Sequence, residues 1–273
     1  MSIFRTKSIS ELIAETQGEN QLKKVLGARD LISLGIGAII GTGIFVITGV
    51  AASKYAGPAV VMSFVLSAVT CALAALAYAE FASMIPVAGS AYTYSYAALG
   101  EIFAWIIGWD LILEYSVAIS AVAIGWSGYF NNLLKVIGID LPTALSASFL
   151  TVDGGFIDLP AVIIIGIIAY LLIKGIKESA WVNNIIVVIK LAVILLFILL
   201  AFPHVNTANW QPFMPFGFKG VVAGAAIVFF AYIGFDAVST AAEEVKRPQR
   251  DLPIGITVSL IVATVLYVAV AAA

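Results

Sequence analysis

The chain has 273 residues, of which 62% are hydrophobic and only 11% charged. No water-soluble domain of this length needs so much apolar surface, so the composition, with a mean hydropathy of +1.08, describes a polytopic membrane protein. The net charge of −2 gives no basis for nucleic-acid binding, and the single cysteine, Cys71, excludes a disulfide within this sequence.

Residues 1–30 are polar and amphipathic and carry no cleavable signal pattern. They are expected to form a cytosolic helix lying along the interface, with Leu12, Ile13, Leu22, Val25 and Leu26 as its apolar face. Seven hydrophobic segments follow, near 31–52, 58–84, 101–127, 160–176, 181–202, 220–241 and 252–273. The connection 128–159 contains Gly138, Pro142 and Gly154-Gly155, and is expected to be an outer loop with room for one short helix. With the N-terminus inside, the inner cations are Arg5, Lys7, Lys23, Lys24, Arg29, Lys174, Lys177, Lys246, Arg247 and Arg250. The outer ones are Lys54, Lys135 and Lys219, and with Lys190 inside a segment these account for all 14. The positive-inside rule then gives a cytoplasmic N-terminus in a multi-pass cell-membrane protein. A seven-helix receptor would need the opposite orientation.

The first segment holds Gly35, Gly37, Gly41 and Gly43 within nine residues. Each is roughly 1 kcal/mol less favourable in a helix than alanine, so the span is weak at mid-membrane. Non-helical backbone persists at that depth only where it lines a cavity or is buried in protein. An opened turn around Gly41 would present the amides of Thr42, Gly43 and Ile44 to a carboxylate, and the carbonyls of Ile39 and Ile40 to an ammonium. That is a pocket for a zwitterion. The same glycines suit close helix packing, since Gly37 and Gly41 are four apart, and spacing alone does not separate the two readings.

Further along, Lys190 sits near the centre of the fifth segment, where an ammonium costs several kcal/mol unless it is paired, solvated by a cavity or deprotonated. On the third segment Asp110 and Glu114 are four apart and share a face, and Glu114 is the candidate partner or proton exchanger for Lys190. Either acid would equally suit a water-filled vestibule. Glu80, near the inner end of the second segment, is expected in an inner-gate hydrogen bond.

The sixth segment is interrupted at Gly234, within Phe229-Phe230-Ala231-Tyr232-Ile233-Gly234-Phe235-Asp236. Carbonyls at Phe230, Ala231 and Ile233 would add to the ammonium side, and Phe230 could close over a ligand from outside. Asp236 is placed to cap the half-helix that follows and to contribute to gating. Glu243, Glu244, Lys246, Arg247 and Arg250 form the next inner loop, as gating ion pairs or simply as a solvated loop. His204 reads as a surface residue, and Tyr92, Tyr94, Tyr96, Trp105 and Trp109 as interfacial anchors. Interrupted first and sixth segments, entered from opposite sides, indicate two five-helix repeats of inverted topology with the site between them at the midplane.

Four stretches carry a resemblance. They are Leu26-Gly27-Ala28-Arg29-Asp30-Leu31 leading into Gly37–Phe45, Tyr78-Ala79-Glu80-Phe81 running to Pro86–Tyr94, Gly100-Glu101 to Gly108–Tyr115, and Glu243–Pro253. Together they resemble the amino acid–polyamine–organocation superfamily, and most of all bacterial relatives of the cationic amino acid transporters. The resemblance implies an all-α five-plus-five inverted-repeat fold of twelve or fourteen helices with discontinuous helices one and six. Residues 31–202 would be the first repeat and 203–273 the start of the second, in a chain that ends early and lacks helices eight and ten.

In proton-coupled relatives a helix-five lysine holds the place of a coupling cation. The resemblance therefore implies that protonated Lys190 bonds carbonyls near Gly41–Gly43. The implied function is proton-coupled amino-acid symport by alternating access, with no cofactor beyond the coupling proton. No nucleophile–base pair, metal-ligand cluster or phosphate loop points to an enzyme. No acid in segments one or six faces the ligand directly, so the expected substrate is a small neutral L-amino acid such as alanine. The lipid bilayer is the surrounding partner, and a small membrane subunit is left open. The alternatives are an exchanger without proton coupling, and a non-transporting fragment or assembly subunit.

Overall fold

In a bilayer every backbone N–H and C=O must be satisfied within the protein, and an apolar run does this by becoming helical. The computed structural model describes residues 3–17, 22–150, 152–174 and 176–273, which are helical apart from loops and three isolated β-bridges. The side chains of Lys174 and Lys177, counted among the inner cations, lie outside the described residues.

A short helix α1 (Ile9–Glu15) precedes the membrane segments. The first segment is split into α2 (Ala28–Ile39) and α3 (Val46–Ala51), and a π turn and a 3-10 turn lead on to α4 (Val60–Met84). Then come α5 (Ala91–Ala98), α6 (Glu101–Val136), α7 (Thr143–Ser146), α8 (Leu159–Lys174) and α9 (Ile176–Ala201). The sixth segment is α10 (Gly217–Val228) and α11 (Ala237–Thr240) with a break between them, and α12 (Pro248–Ala272) is the seventh. Among the described residues, five helical runs are long and apolar enough to cross a membrane, namely Thr42–Met84, Glu101–Val136, Trp181–His204, Gly217–Thr240 and Pro248–Ala272, and Leu159–Ile173 is a shorter one. Seven expected segments become five such runs because α2 is too short to count alone and the fourth segment is short.

The chain divides into two compact units, Met1–Leu111 with Asn183–Ala273, and Ile112–Val182. In the first, α12 packs on α4 and α2, and α10 packs on α4. Fully buried Phe64, Tyr232, Tyr267, Leu252 and Ile256 form the centre of that core. Ser63 and Ser67, one turn apart on α4, donate to the Val221 and Ala225 carbonyls of α10 at 2.8 and 2.7 Å. Hydroxyls on one face thus join two helices in a setting where apolar burial alone gives little drive between them.

In the second unit α6 runs on to Val136 rather than ending near 127. Ser127 and Asn131 sit one turn apart there. Ser127 Oγ donates to Asp158 Oδ1 at 2.5 Å, and Asn131 Nδ2 donates to Ser127 Oγ at 3.3 Å. The loop expected on the outer side accordingly begins later than expected and contains the short α7.

Among the described residues, the expected amphipathic N-terminal helix is confined to α1. Leu12 is buried and Ile13 packs on the core, but Leu22 and Val25 are exposed at 41% and 50%. Val25 and Leu26 are extended instead. Both amides donate to the Glu244 carbonyl at 2.9 Å, and the Lys246 amide returns to the Leu26 carbonyl at 2.9 Å. A neighbouring strand-like partner satisfies their backbone, so they need no helix.

Candidate functional site

The first break lies where the glycines weaken the span. α2 ends at Ile39, Ile40 turns extended (φ −82°, ψ 97°), Gly41 adopts φ −122°, ψ −138°, and a 3-10 turn covers Thr42–Ile44 before α3. The first amides of a new helical turn lack partners within it, which leaves those of Thr42 and Gly43 available. Gly41 and Thr42 are half-exposed, whereas Gly43 and Ile44 are buried. On the far side of the break, Thr48 Oγ1 donates to the Ile44 carbonyl at 2.7 Å.

The second break faces the first. α10 passes into a 3-10 turn over Phe229–Tyr232, Ile233 turns extended (φ −55°, ψ 136°), and Gly234 takes φ +106°, a conformation side chains disfavour. A Cβ on Gly234 would stand 2.9 Å from the Ala38 carbonyl oxygen of α2, and one on Gly43 would stand 2.7 Å from Ala231 Cα. The two breaks therefore touch through backbone, and only glycine allows it. Phe230 and Ile233 are half-buried beside this contact, and Ala231 is buried.

Lys190 is tied to the first break. Its Nζ donates to the Gly37 carbonyl at 3.0 Å and the Ile40 carbonyl at 2.6 Å, just before the glycines 41–43 where the contact was expected. The α9 stripe that carries it explains the register. Ser33 Oγ donates to Asn184 Oδ1 at 2.7 Å, Phe45 and Phe197 meet edge to face at 5.2 Å, and Val187 and Ile194 are buried between them. A Cβ on Gly37 would be 2.9 Å from Asn183 Oδ1 and 3.1 Å from Val187 Cγ2. Gly37 and Gly43 thus permit close packing, and the first span is opened at Gly41.

Tyr267 joins the two breaks and was not anticipated. Buried on α12, its hydroxyl is shared between the Ile39 carbonyl at 2.8 Å and the Ala231 carbonyl at 2.6 Å. Its ring meets Phe64 and Tyr232, and Tyr232 OH donates to the Phe64 carbonyl at 3.1 Å. Three carbonyls expected to await an ammonium, those of Ile39, Ile40 and Ala231, thus already accept one hydrogen bond each, and each retains a second lone pair.

Asp236 stands at the start of α11, but its side chain makes no capping bond to that helix. Its backbone is helical (φ −73°, ψ −24°), and side-chain capping requires an extended residue. Instead its Oδ2 lies 3.5 Å from the hydroxyl of buried Ser90, a non-glycine residue at φ +52°. Glu80 is exposed in the last turn of α4. Glu243 makes the cross-segment contact there, accepting the Ala88 amide at 3.0 Å. In the following loop Arg247 Nε lies 3.6 Å from Asp251 Oδ2. Glu114 is half-buried on α6 within the second unit. Of the expected interfacial aromatics, Trp105 and Trp109 are exposed at 61% and 57%, while Tyr94 is buried against Tyr78 and Phe81.

Two spans opened at mid-length, backed by helices that donate to their freed carbonyls, define a discontinuous-helix membrane protein, the architecture in which solute sites are built at the break. The chain belongs to the Amino acid permease family, which matches residues 26–273. It is 60% identical to the branched-chain amino acid permease BcaP of Bacillus subtilis, covering 99% of this chain and 58% of that protein. It is 53% identical to the methylthioribose transporter of the same organism, covering 98% of this chain and 58% of the relative. Cationic amino acid transporter 1 of Arabidopsis thaliana is 44% identical, covering 98% of this chain and 45% of the relative. The chain thus spans about half the length of these relatives, which are named as permeases and transporters rather than as enzymes.

Proposed function

We propose that the protein carries a small neutral L-amino acid across the cell membrane together with a proton, by alternating access, with its N-terminus in the cytoplasm. The observation that carries this reading is the Lys190 ammonium bound to the Gly37 and Ile40 carbonyls at the first break. A lysine at that depth gives the break a charge that a proton can add or remove. When the proton leaves, the amine loses its charge-assisted bonds and the break is free to rearrange. The substrate carboxylate is assigned to the amides of Thr42, Gly43 and Ile44. Its ammonium is assigned to the remaining lone pairs of the Ile39, Ile40, Ala231 and Ile233 carbonyls. Phe230 is assigned the role of closing side chain, and Asp236 and Glu80 keep gating roles on the inner side. Glu114 keeps the proton-exchange role on sequence grounds alone.

A neutral aliphatic side chain is assigned on the apolar character of Ile44, Phe230 and Ile233 beside the breaks, and the relatedness to a branched-chain permease supports it. Uptake of labelled L-alanine, L-isoleucine, L-arginine and methylthioribose into proteoliposomes of the full-length protein, with and without an inward proton gradient, tests the reading. Gradient-driven uptake of a neutral amino acid is expected, falling to background in Lys190→Ala while substrate binding persists. Gradient-driven uptake undiminished in Lys190→Ala would remove the proton role. A preference for arginine or methylthioribose would remove the neutral substrate.

A further inference from the structure

Residues 3–17 and 22–26 hold two distant elements of the first unit. At one end, the carbonyl of Arg5 accepts the Glu101 amide at 3.0 Å, and that of Ile3 accepts the Ile102 amide at 3.0 Å. Those are the first two amides of α6, which no helical partner can satisfy. The tail therefore caps a 36-residue helix with its own backbone. Phe4 lies 6.4 Å from Phe103, centroid to centroid, the Lys7 amide reaches the Tyr96 carbonyl at 3.4 Å, and Lys7 Nζ lies 5.8 Å from the Tyr96 ring centre. Next, α1 is stiffened by a capping box between Ser8 and Glu11 and by an ion pair between Lys7 and Glu15, and it buries Leu12.

At the other end, Val25 and Leu26 make the three backbone bonds to Glu244 and Lys246 already described. Leu26 leads into the first interrupted segment, and Glu244 follows the second. Beside that bridge, Glu243 fastens the Ala88 amide.

We propose that these two described parts, residues 3–17 and 22–26, together termed the N-terminal strap, are a latch on the inner face. It joins the inner ends of both interrupted segments to the start of α6 and holds that face closed. The bridge at 25–26 lies where α2, α11 and α12 pack together and stays with them. The clip at residues 3–7 is the releasable end, because it reaches to α6 and is made of a few backbone bonds and one ring pair. Opening of the inner side requires the clip to part.

Two measurements on the full-length protein, in a background lacking other cysteines, test this. In Phe4→Cys/Phe103→Cys, joining the pair with a short bis-methanethiosulfonate, which forms a mixed disulfide with each thiol and releases methanesulfinate, is expected to lower uptake by roughly tenfold, with recovery when a thiol reductant cleaves the disulfides, as for a lid that must open each cycle. Each single-cysteine variant treated alike should keep its uptake. Undiminished uptake in the joined protein overturns the latch. In a second variant, residues 2–7 are deleted and Ala242→Cys, at a position buried at 1%, is the reporter. Its labelling by a membrane-impermeant maleimide from the inner side is expected to quicken several-fold, and an unchanged rate also overturns the proposal. The labelling needs no transported substrate, so it stands even if the substrate or the coupling proton has been assigned wrongly.

Discussion

Two side chains hold the breaks in the spans, and they differ in how far they could be read. Lys190 announces itself, because a charge in an apolar run needs a partner. Its acceptors were misplaced by a few residues, since sequence gives the depth of a side chain and not the rotation of its helix. Tyr267 gives no such signal. A tyrosine in an apolar helix is ordinary, and its acceptors Ile39 and Ala231 lie 228 and 36 positions away in sequence. Removing the hydroxyl leaves two buried carbonyls without a donor, at a cost on the order of 1–3 kcal/mol for such a group. Tyr267→Phe is therefore expected to lower the thermal midpoint of the purified protein by a few degrees and to weaken substrate binding, while Tyr232→Phe, whose hydroxyl meets the Phe64 carbonyl and Thr264 rather than either break, should affect binding less. Calorimetry and ligand titration of both variants check this. Equal binding in Tyr267→Phe and the parent would mean that the bridge between the breaks is dispensable.

At the scale of elements, helix existence was legible and helix ends were not. The seven apolar segments match their observed counterparts because length and hydropathy suffice for membrane helices. Ends depend on single polar contacts. Asp158 shows this: it lies in the connection 128–159 and is the residue before α8. Its Oδ1 accepts the Ala161 amide at 3.2 Å, and its carbonyl takes the first intrahelical bond from Val162 at 3.1 Å. The same oxygen receives Ser127 Oγ, so one carboxylate starts α8 and fastens it to α6 within the second unit. The lost cap in Asp158→Ala is expected to cost about 1 kcal/mol. Hydrogen exchange should quicken at the amides of Ala161 and Val162, with those in the middle of α8 unchanged. Uniform exchange along α8 in the variant would show that the cap contributes nothing local. The N-terminal region failed in the opposite sense. An amphipathic pattern suggested one helix, but the extended pairing of Val25 and Leu26 with residues 220 positions away is a long-range choice that no local period encodes.

At the scale of the whole molecule, orientation is a matter of charge outside the membrane. Ten cations on one side against three on the other is a large bias for short loops, and Lys190 is excluded because its ammonium is held by helix carbonyls. Arg29, Lys246, Arg247 and Arg250, which flank the interrupted segments, are all exposed, as the positive-inside rule requires of anchors. The prediction follows without changing any charge. With Cys71 replaced by alanine, single cysteines are placed at Ser10, Val136 and Gln249, all exposed positions, with Val136 exposed at 84%. With the N-terminus inside and an odd number of crossings between neighbouring probes, an impermeant maleimide applied to intact cells should label only Val136→Cys. Ser10→Cys and Gln249→Cys should react once the membrane is permeabilised. Labelling of Ser10→Cys in intact cells would reverse the orientation, and it would place the N-terminal strap and the Glu243 contact on the outer face. Because the three probes sit before the first segment, after the third and after the sixth, their pattern also tests whether the number of crossings between neighbouring probes is odd, so one experiment tests orientation and that parity together.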